Sequence, residues 1–268
     1  MEDFNMNNKI ALLIDAENIS GRYVGTIFDE LSKYGVVTYK RIYGDWTSPN
    51  MSTWKQIIRE FALSPIQQFQ NTTNKNSSDS ALIIDAMDIL YSEDVECFCV
   101  VSSDGDYTRL ITRIREDGIY VIGMGEKKAP TSIVKVCDKF VYLDIRNEEE
   151  REEKEEKEEK DESIKGKDVK KAPPQKKPQQ KKRTRNLEPD KIKGAIKIIN
   201  ELSDEEGYAN FSEVYNRMIK IYSDMDAGNY GYSKSSDLFS ACPSFIMKKE
   251  PGKASKLVMH IYIKVKQE

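Results

Sequence analysis

Short apolar runs alternate with amphipathic stretches between residues 9 and 145, a pattern typical of a sheet whose strands are linked by helices. The apolar runs predict buried strands in IALLIDA, VVTYKRIYGD, VECFCVVSS, YVIGMG and KFVYLD. Helical spacing appears in GRYVGTIFDELSKYG, MSTWKQIIREFA, DSALIIDAMDILYS, YTRLITRIREDG and TSIVKVCD, while IQQFQNTT is predicted to be extended. This order predicts a doubly wound, mainly parallel α/β sheet with all strand carboxyl ends at one edge.

The pattern stops at residue 146 and resumes at residue 187. Between them, large apolar side chains are almost absent, so this segment is predicted to be a charged flexible linker. Beyond it, helical spacing returns in DKIKGAIKIINELS, FSEVYNRMIKIYSDM and SKSSDLFSA, followed by the hairpin signals SFIMKKE and LVMHIYIKV. We therefore predict a first domain over 1–145, a linker over 146–186 and a small winged-helix (α+β) domain over 187–268.

Charge is spread unevenly along the 268 residues, although the formal net charge is only -3. Residues 1–145 carry 15 basic and 21 acidic side chains, whereas residues 163–186 carry 10 basic and 1 acidic. A basic arm of this kind is the usual electrostatic footprint for a polyanion, although a solubilising tether is the plainer explanation. If the arm binds RNA, its contacts are expected to include Lys181, Lys182, Arg183 and Arg185.

Cysteine and histidine usage excludes several classes of protein. The four cysteines have no CxxC spacing and there is one histidine, so ligands for a tetrahedral zinc site are lacking. Cys97 and Cys99 alternate along a predicted strand and are expected to pack in the core. No secretory signal layout or membrane-length apolar run is present. We expect a cytoplasmic protein in a reducing compartment, with no membrane partner.

Carboxylates stand where the predicted strands end. Asp15 follows five apolar residues of the first strand, Asp104 and Asp106 flank a glycine after CFCVVSS, and Asp79 begins a predicted helix. Parallel strands end at one edge, so we expect these four acids to converge there. They would repel one another unless a hard divalent cation lay between them. The sequence therefore predicts a Mg²⁺ or Mn²⁺ site for phosphodiester hydrolysis, with helix or turn capping as the plainer role of each acid.

Polar neighbours of these acids are candidates for auxiliary roles. Ser103 is placed to hydrogen-bond a carboxylate or a phosphate, and Lys75, four residues before Asp79, is placed to contact a phosphate. In the second domain, Tyr230 and Tyr232 are candidate stacking surfaces for RNA bases, with core packing as the alternative. No GxxxxGK[ST] loop or GxGxxG strand turn is present, which excludes P-loop and dinucleotide chemistry.

Three ordered motifs carry a family resemblance: IALLIDAENI, KNSSDSALIIDAMDIL and VVSSDGDYTRLITRIREDGIYVIGMG. Together they resemble the NYN domain of the LabA-like group, a branch of the PIN-like metal-dependent ribonucleases. The stretch YGYSKSSDLFSACPSFIMKKE is similar to the OST-HTH/LOTUS winged helix, which is associated with RNA binding.

The resemblance implies metal-binding and catalytic roles for Asp15, Asp79, Asp104 and Asp106, with Asn18 as a polar companion of Asp15. The motif SSDGDY stands where the family has SGDGDF, so the acids are retained.

Two broader alternatives remain beside an endoribonuclease with an RNA-binding winged helix. The first is a non-catalytic RNA-binding or regulatory protein that uses both domains as docking modules, and a homo-oligomer or protein partner through the second domain is left open. The second is another acid-cluster enzyme, a phosphatase or a Toprim-type DNA enzyme. The sequence disfavours the second, because a phosphatase would need a DxD on the first strand, where this chain has DAEN.

Overall fold

The computed structural model describes residues 7–68, 77–92, 95–148, 184–251 and 259–266, with the backbone alone at residues 77–79 and 92. In chain order, the strands of its first unit are β1 (Lys9–Asp15), β2 (Val36–Gly44), β3 (Ser64–Gln67), β4 (Cys97–Val101), β5 (Tyr120–Gly125) and β6 (Lys139–Tyr142). The helices are α1 (Val24–Leu31), α2 (Trp54–Glu60), α3 (Ser77–Ser92), α4 (Thr108–Glu116), α5 (Thr131–Val136) and α6 (143–148).

The six strands form one parallel sheet in the order β3-β2-β1-β4-β5-β6. Side chains of β1 alternate between two cores: Leu12 and Ile14 pack with α1 and α2, and Ala11 and Leu13 pack with α3, α4 and α5. Helices thus cover both faces, which is why the strand is a continuous apolar run. The predicted doubly wound α/β class is confirmed, and the strand order reverses between β1 and β4.

Several element ends differ from the sequence predictions. The run KFVYLD was expected to stay extended to residue 144, but β6 ends at Tyr142 and residues 143–148 are helical. Leu143 is fully buried against the β1 core, and a short apolar run alone does not distinguish a buried strand from a buried helical turn. Gly35 closes the turn before β2 at φ 154°, where a Cβ would lie 2.1 Å from the Asn8 carbonyl oxygen.

The second unit contains α7 (Pro189–Leu202), α8 (Phe211–Ile221), α9 (Ser235–Ser240) and an antiparallel sheet of β7 (Ala209–Asn210), β8 (Phe245–Pro251) and β9 (Met259–Val265). Its core joins Ala195 and Ile199 of α7 to Val214 of α8 and Phe239 of α9. The three predicted helices and the hairpin are present. The two-residue strand β7 was not predicted, because so short an element has no periodicity to detect.

The second unit packs against the open edge of the parallel sheet. The Phe140 N–H donates to the Ser223 carbonyl oxygen (2.8 Å). The Asn229 carboxamide accepts from the Tyr142 N–H (3.0 Å) and donates to the Phe140 carbonyl oxygen (2.8 Å). A side-chain amide thus takes the place of a neighbouring strand residue. We call the contact between β6 and residues 223–229 the seam; it covers an edge that would otherwise present unpaired backbone groups.

Charged side chains reinforce the seam. Asp226 accepts from Lys139 of β6 (2.8 Å) and from Arg146 of α6, and Lys139 also contacts Glu30 of α1 (3.3 Å). Burial by itself would raise the pKa of Asp226, but Lys139 and Arg146 outweigh it and lower that pKa from 3.8 to about 2. A Cβ at Gly228 would meet the Arg146 guanidinium at 1.8 Å, so a larger residue there would have to displace this side chain.

The expected linker falls mostly outside the described residues, which end at residue 148 and resume at residue 184. All four cysteines are free and buried, as expected for Cys97 and Cys99. In the part of the chain that the structure describes, no helix is both long and apolar enough to cross a membrane.

Candidate active site

Asp15 ends the central strand β1, at the point where the strand order reverses. Open α/β sheets form a crevice at such a point, outside the carboxyl ends of the strands. The Asp15 side chain is only 1% exposed, and three donors hold its carboxylate. Asn18 Nδ2 and Ser102 Oγ donate to Oδ2 (2.7 and 2.8 Å), and the Glu17 N–H donates to Oδ1 (3.2 Å). Asn18, which the family resemblance names as the polar companion of Asp15, is one of these donors.

Ser102 links Asp15 to the acidic turn that follows β4. Its hydroxyl is fully buried, donates to Asp15 and accepts from the Asp104 N–H (3.0 Å). The strand register explains this contact. Ile14 of β1 lies beside Val101 of β4, so the residues that follow them, Asp15 and Ser102, are neighbours at the carboxyl edge of the sheet. Sequence reasoning named Ser103 for a carboxylate contact and missed Ser102. The usable signal was the strand alternation, which points consecutive residues to opposite faces.

Ser103 has a different role from the one expected. Its hydroxyl accepts from the Glu126 N–H (2.9 Å), which fastens the loop after β5 to the turn after β4. Gly125 permits this approach, since a Cβ there would lie 2.7 Å from the Ser102 carbonyl oxygen. The carboxylate contact predicted for Ser103 thus belongs to Ser102, and Ser103 instead orders two loops at the rim of the crevice.

Asp104 and Asp106 lie in the turn between β4 and α4. Asp104 is half-buried and caps the turn, because its Oδ1 accepts from the Asp106 N–H (3.0 Å). Asp106 is exposed. The structure therefore brings Asp15, Ser102 and the Asp104 backbone together. Capping by Asp104, which the sequence offered as the plainer role, is present as well and leaves the second carboxylate oxygen, Oδ2, outside that hydrogen bond.

Two other predicted site residues, Asp79 and Lys75, lie wholly or partly outside the described part of the chain. Asp79 lies in the first turn of α3, but its side chain is not described, and Lys75 lies outside the described residues. Among the residues whose side chains are described, no group of three or more Asp, Glu, His or Cys side chains comes close enough together to hold a metal ion.

Glu126 is an acid beside the crevice that sequence reasoning missed. Its carboxylate accepts from the Tyr23 hydroxyl (3.1 Å) and pairs with Lys128 (2.7 Å) and, at 4.0 Å, with Arg22. The bond from Lys128 is the largest cause that lowers the pKa of Glu126. No strand-end motif marks this residue, because it belongs to an EKK sequence that is typical of any exposed loop.

Of the residues predicted to contact RNA, Tyr230 of the second unit is corrected, and most of those in the basic arm lie outside the described residues. Tyr230 is 3% exposed and its hydroxyl is bonded by Lys191 (2.6 Å) and Glu188 (2.6 Å), so its ring is part of the core and is not open to a base. Tyr232 is half-buried. Arg185 is half-buried, and its N–H donates to the Tyr230 carbonyl oxygen (2.9 Å), while Lys181, Lys182 and Arg183 lie outside the described residues.

Comparisons with solved structures find partial matches. A protein of unknown function from Vibrio parahaemolyticus is 20% identical, with a TM-score of 0.44, and the match covers 52% of this chain and 94% of that one. An uncharacterised protein from Nitrosomonas europaea is 29% identical, with a TM-score of 0.28, over 38% of this chain and 93% of that one. A search of curated proteins finds no match.

Family models match both units. The NYN domain model matches residues 9–144, which is half of the chain, and the OST-HTH/LOTUS domain model matches residues 189–257. The first range spans the parallel sheet, and the second spans the C-terminal unit from α7 to β8 and ends before β9. The chain therefore belongs to the NYN domain family and carries a C-terminal OST-HTH/LOTUS domain.

Proposed function

We propose that this protein is a divalent-metal-dependent endoribonuclease whose C-terminal domain binds RNA. In this proposal Asp15, Asp79, Asp104 and Asp106 hold Mg²⁺ or Mn²⁺. The supporting observation is the position of the Asp15 carboxylate. It is buried where the strand order reverses, and the Ser102 hydroxyl links it to the turn that carries Asp104 and Asp106. NYN and OST-HTH/LOTUS domains both support a role in RNA metabolism.

The donor chemistry at the crevice fits such a cation. Carboxylate oxygens are the ligands that Mg²⁺ prefers, and Asp15 and Asp104 supply them from two adjacent parallel strands. A divalent cation bound there would offset the negative charge of a phosphodiester and would lower the pKa of a water molecule that it binds.

The chain's own residues would prepare the site before substrate binds. Asn18 and Ser102 fix the Asp15 carboxylate in one orientation, and Ser102 also fixes the Asp104 backbone. Prearranged groups of this kind lower the barrier because they need no reorganisation during the reaction. Burial of Asp15 keeps bulk water from competing at that end of the crevice.

A non-catalytic RNA-binding protein is the second candidate. It is favoured by one observation, namely that the described side chains do not themselves form a three-ligand group. The two candidates differ in turnover alone, because both predict RNA binding.

Cleavage of labelled single-stranded RNA by the full chain in Mn²⁺, with and without EDTA, separates the candidates. We expect cleavage that EDTA stops and that Asp104→Asn reduces by about a thousandfold, since a carboxylate that contacts a metal is lost. Glu116→Gln removes an equal charge at the exposed end of α4 and should cleave normally. Cleavage that persists in Asp104→Asn, or none in the wild type with folded protein, would reject the nuclease proposal.

A further inference from the structure

A pair of cations lies next to the crevice and has no part in the proposed metal site. Arg22 follows β1 and Lys128 follows β5, so both emerge at the carboxyl edge of the sheet. Their side chains are 61% and 66% exposed. Both are directed to one acid, Glu126, which pairs with Lys128 at 2.7 Å and with Arg22 at 4.0 Å.

The surroundings hold these cations in place. The Arg22 guanidinium lies 4.6 Å from the centre of the Tyr23 ring and donates to the Tyr23 hydroxyl, and that ring is fully buried. The Tyr23 hydroxyl in turn donates to Glu126. Stacking over an aromatic ring and a shared carboxylate reduce the number of conformations open to long side chains.

The same group is fastened to the acidic turn. The Glu126 N–H donates to Ser103, which lies between Ser102 and Asp104. Glu126 and Ser103 therefore connect the two cations to the turn that carries Asp104 and Asp106. We infer that Arg22 and Lys128, with Glu126 as their positioning residue, form a subsite for a backbone phosphate of RNA next to the bond that is cut.

Charge explains why such a subsite is needed. The NYN domain has six more acidic than basic side chains over residues 1–145, and the crevice itself holds acids. A polyanion approaching this edge would be repelled unless cations stood close to the acids. Each of the two cations keeps N–H donors beyond its contact with Glu126, because a guanidinium has five and an ammonium three. This inference rests on the proposed function, since it places the subsite beside the reacting phosphate.

The test is RNA binding by the full chain in EDTA, which separates binding from turnover. Anisotropy of a labelled single-stranded RNA is measured over a series of KCl concentrations. We expect Arg22→Ala/Lys128→Ala to weaken binding about tenfold and to reduce the slope of log affinity against log salt by about 1.4, for two lost phosphate contacts on a single strand. The charge-retaining Arg22→Lys/Lys128→Arg variant should keep most of that slope.

A matched control removes two other cations. Arg59 and Lys135 are exposed near the far ends of α2 and α5, toward the opposite edge of the sheet, and Arg59→Ala/Lys135→Ala should leave the slope within about 0.3 of the wild type. Equal salt slopes for Arg22→Ala/Lys128→Ala and Arg59→Ala/Lys135→Ala would overturn the subsite. If Arg22→Ala/Lys128→Ala alone weakens binding while the wild type does not cleave RNA, the two cations bind an RNA phosphate, but the nuclease proposal and the placement beside a cleaved bond both fail.

Discussion

The seam and the crevice are two polar regions on one sheet, and they differ in how exposed their carboxylates are. At the seam, buried groups of the two domains satisfy one another: Asn229 bonds both a donor and an acceptor of β6, and Asp226 accepts from two cations. At the crevice, Asp15 is equally well held, but Asp104 is half-buried and Asp106 is exposed. The buried groups of the seam hold the two domains together, whereas the half-buried Asp104 and the exposed Asp106 at the crevice are accessible to a substrate.

The seam also determines how the C-terminal domain is oriented against the NYN domain. A charged linker alone would leave the C-terminal domain free to take many orientations. The seam instead fixes it against β6, at one lateral edge of the sheet, while the crevice lies over β1 and β4 near the middle. Substitutions at the seam should therefore change stability and leave chemistry intact, and substitutions at the crevice should do the reverse.

Among the substitutions that compare the two regions, Ser102→Ala at the crevice is expected to have the largest effect. Loss of the hydroxyl removes the link between Asp15 and the Asp104 backbone, so we expect kcat for RNA cleavage to fall about a hundredfold, or about 2.7 kcal/mol. Ser103→Ala is the matched control, because its hydroxyl accepts from Glu126 and does not contact Asp15. Steady-state kinetics with both variants checks this, and equal kcat values would show that the link has no catalytic role.

Asn229→Leu at the seam should have a smaller effect, confined to stability. It leaves the Tyr142 N–H and the Phe140 carbonyl without their partner, and we expect the free energy of unfolding to fall by about 2 kcal/mol. Asn200→Leu on the exposed face of α7 is the control and should change stability by less than about 0.5 kcal/mol. Urea unfolding measures both, and a loss of kcat at full stability would contradict the division between the two regions.

The smallest effect is a pH dependence at the seam. The pKa of Asp226 is lowered to about 2 and that of Glu30 is also lowered, although burial opposes both shifts. Depressed carboxyl pKa values contribute stability above their ordinary range near pH 4, and that stability is lost as the pH falls toward about 2. Lys139 has a raised pKa, so its contribution is lost only in strong alkali.

Unfolding measured from pH 2 to 7 tests this linkage. Asp226→Asn should be less stable at pH 7, and the difference from the wild type should shrink as the pH falls below 4. A difference that stays constant across that range would show that the Asp226 charge does not hold the seam.

The sequence predicted the fold further than the site. Apolar runs were enough to place β1, β2, β4, β5 and β6, whereas β3 (Ser64–Gln67) overlaps the predicted stretch IQQFQNTT only at its start. Asp15, Asp104 and Asp106 were named because they follow apolar runs, and Asp79 because it begins a predicted helix. Strand alternation distinguishes Ser102 from Ser103, but the partners of Ser102 and Glu126 depend on which strands are neighbours, and no local pattern contains that information. Tyr230 shows the opposite error: an aromatic side chain in a polar stretch resembled a stacking surface, but Lys191 and Glu188 bond its hydroxyl within the core.

Direct measurement of Mn²⁺ binding tests the central claim, that Asp15, Asp104 and Asp106 bind the same cation. Titration calorimetry of the full chain is compared with Asp15→Asn and Asp104→Asn, after circular dichroism has shown that each variant is folded. We predict saturable Mn²⁺ binding by the wild type that either substitution abolishes or weakens at least about tenfold. Binding of equal affinity in all three folded proteins would place the cation elsewhere and contradict the account.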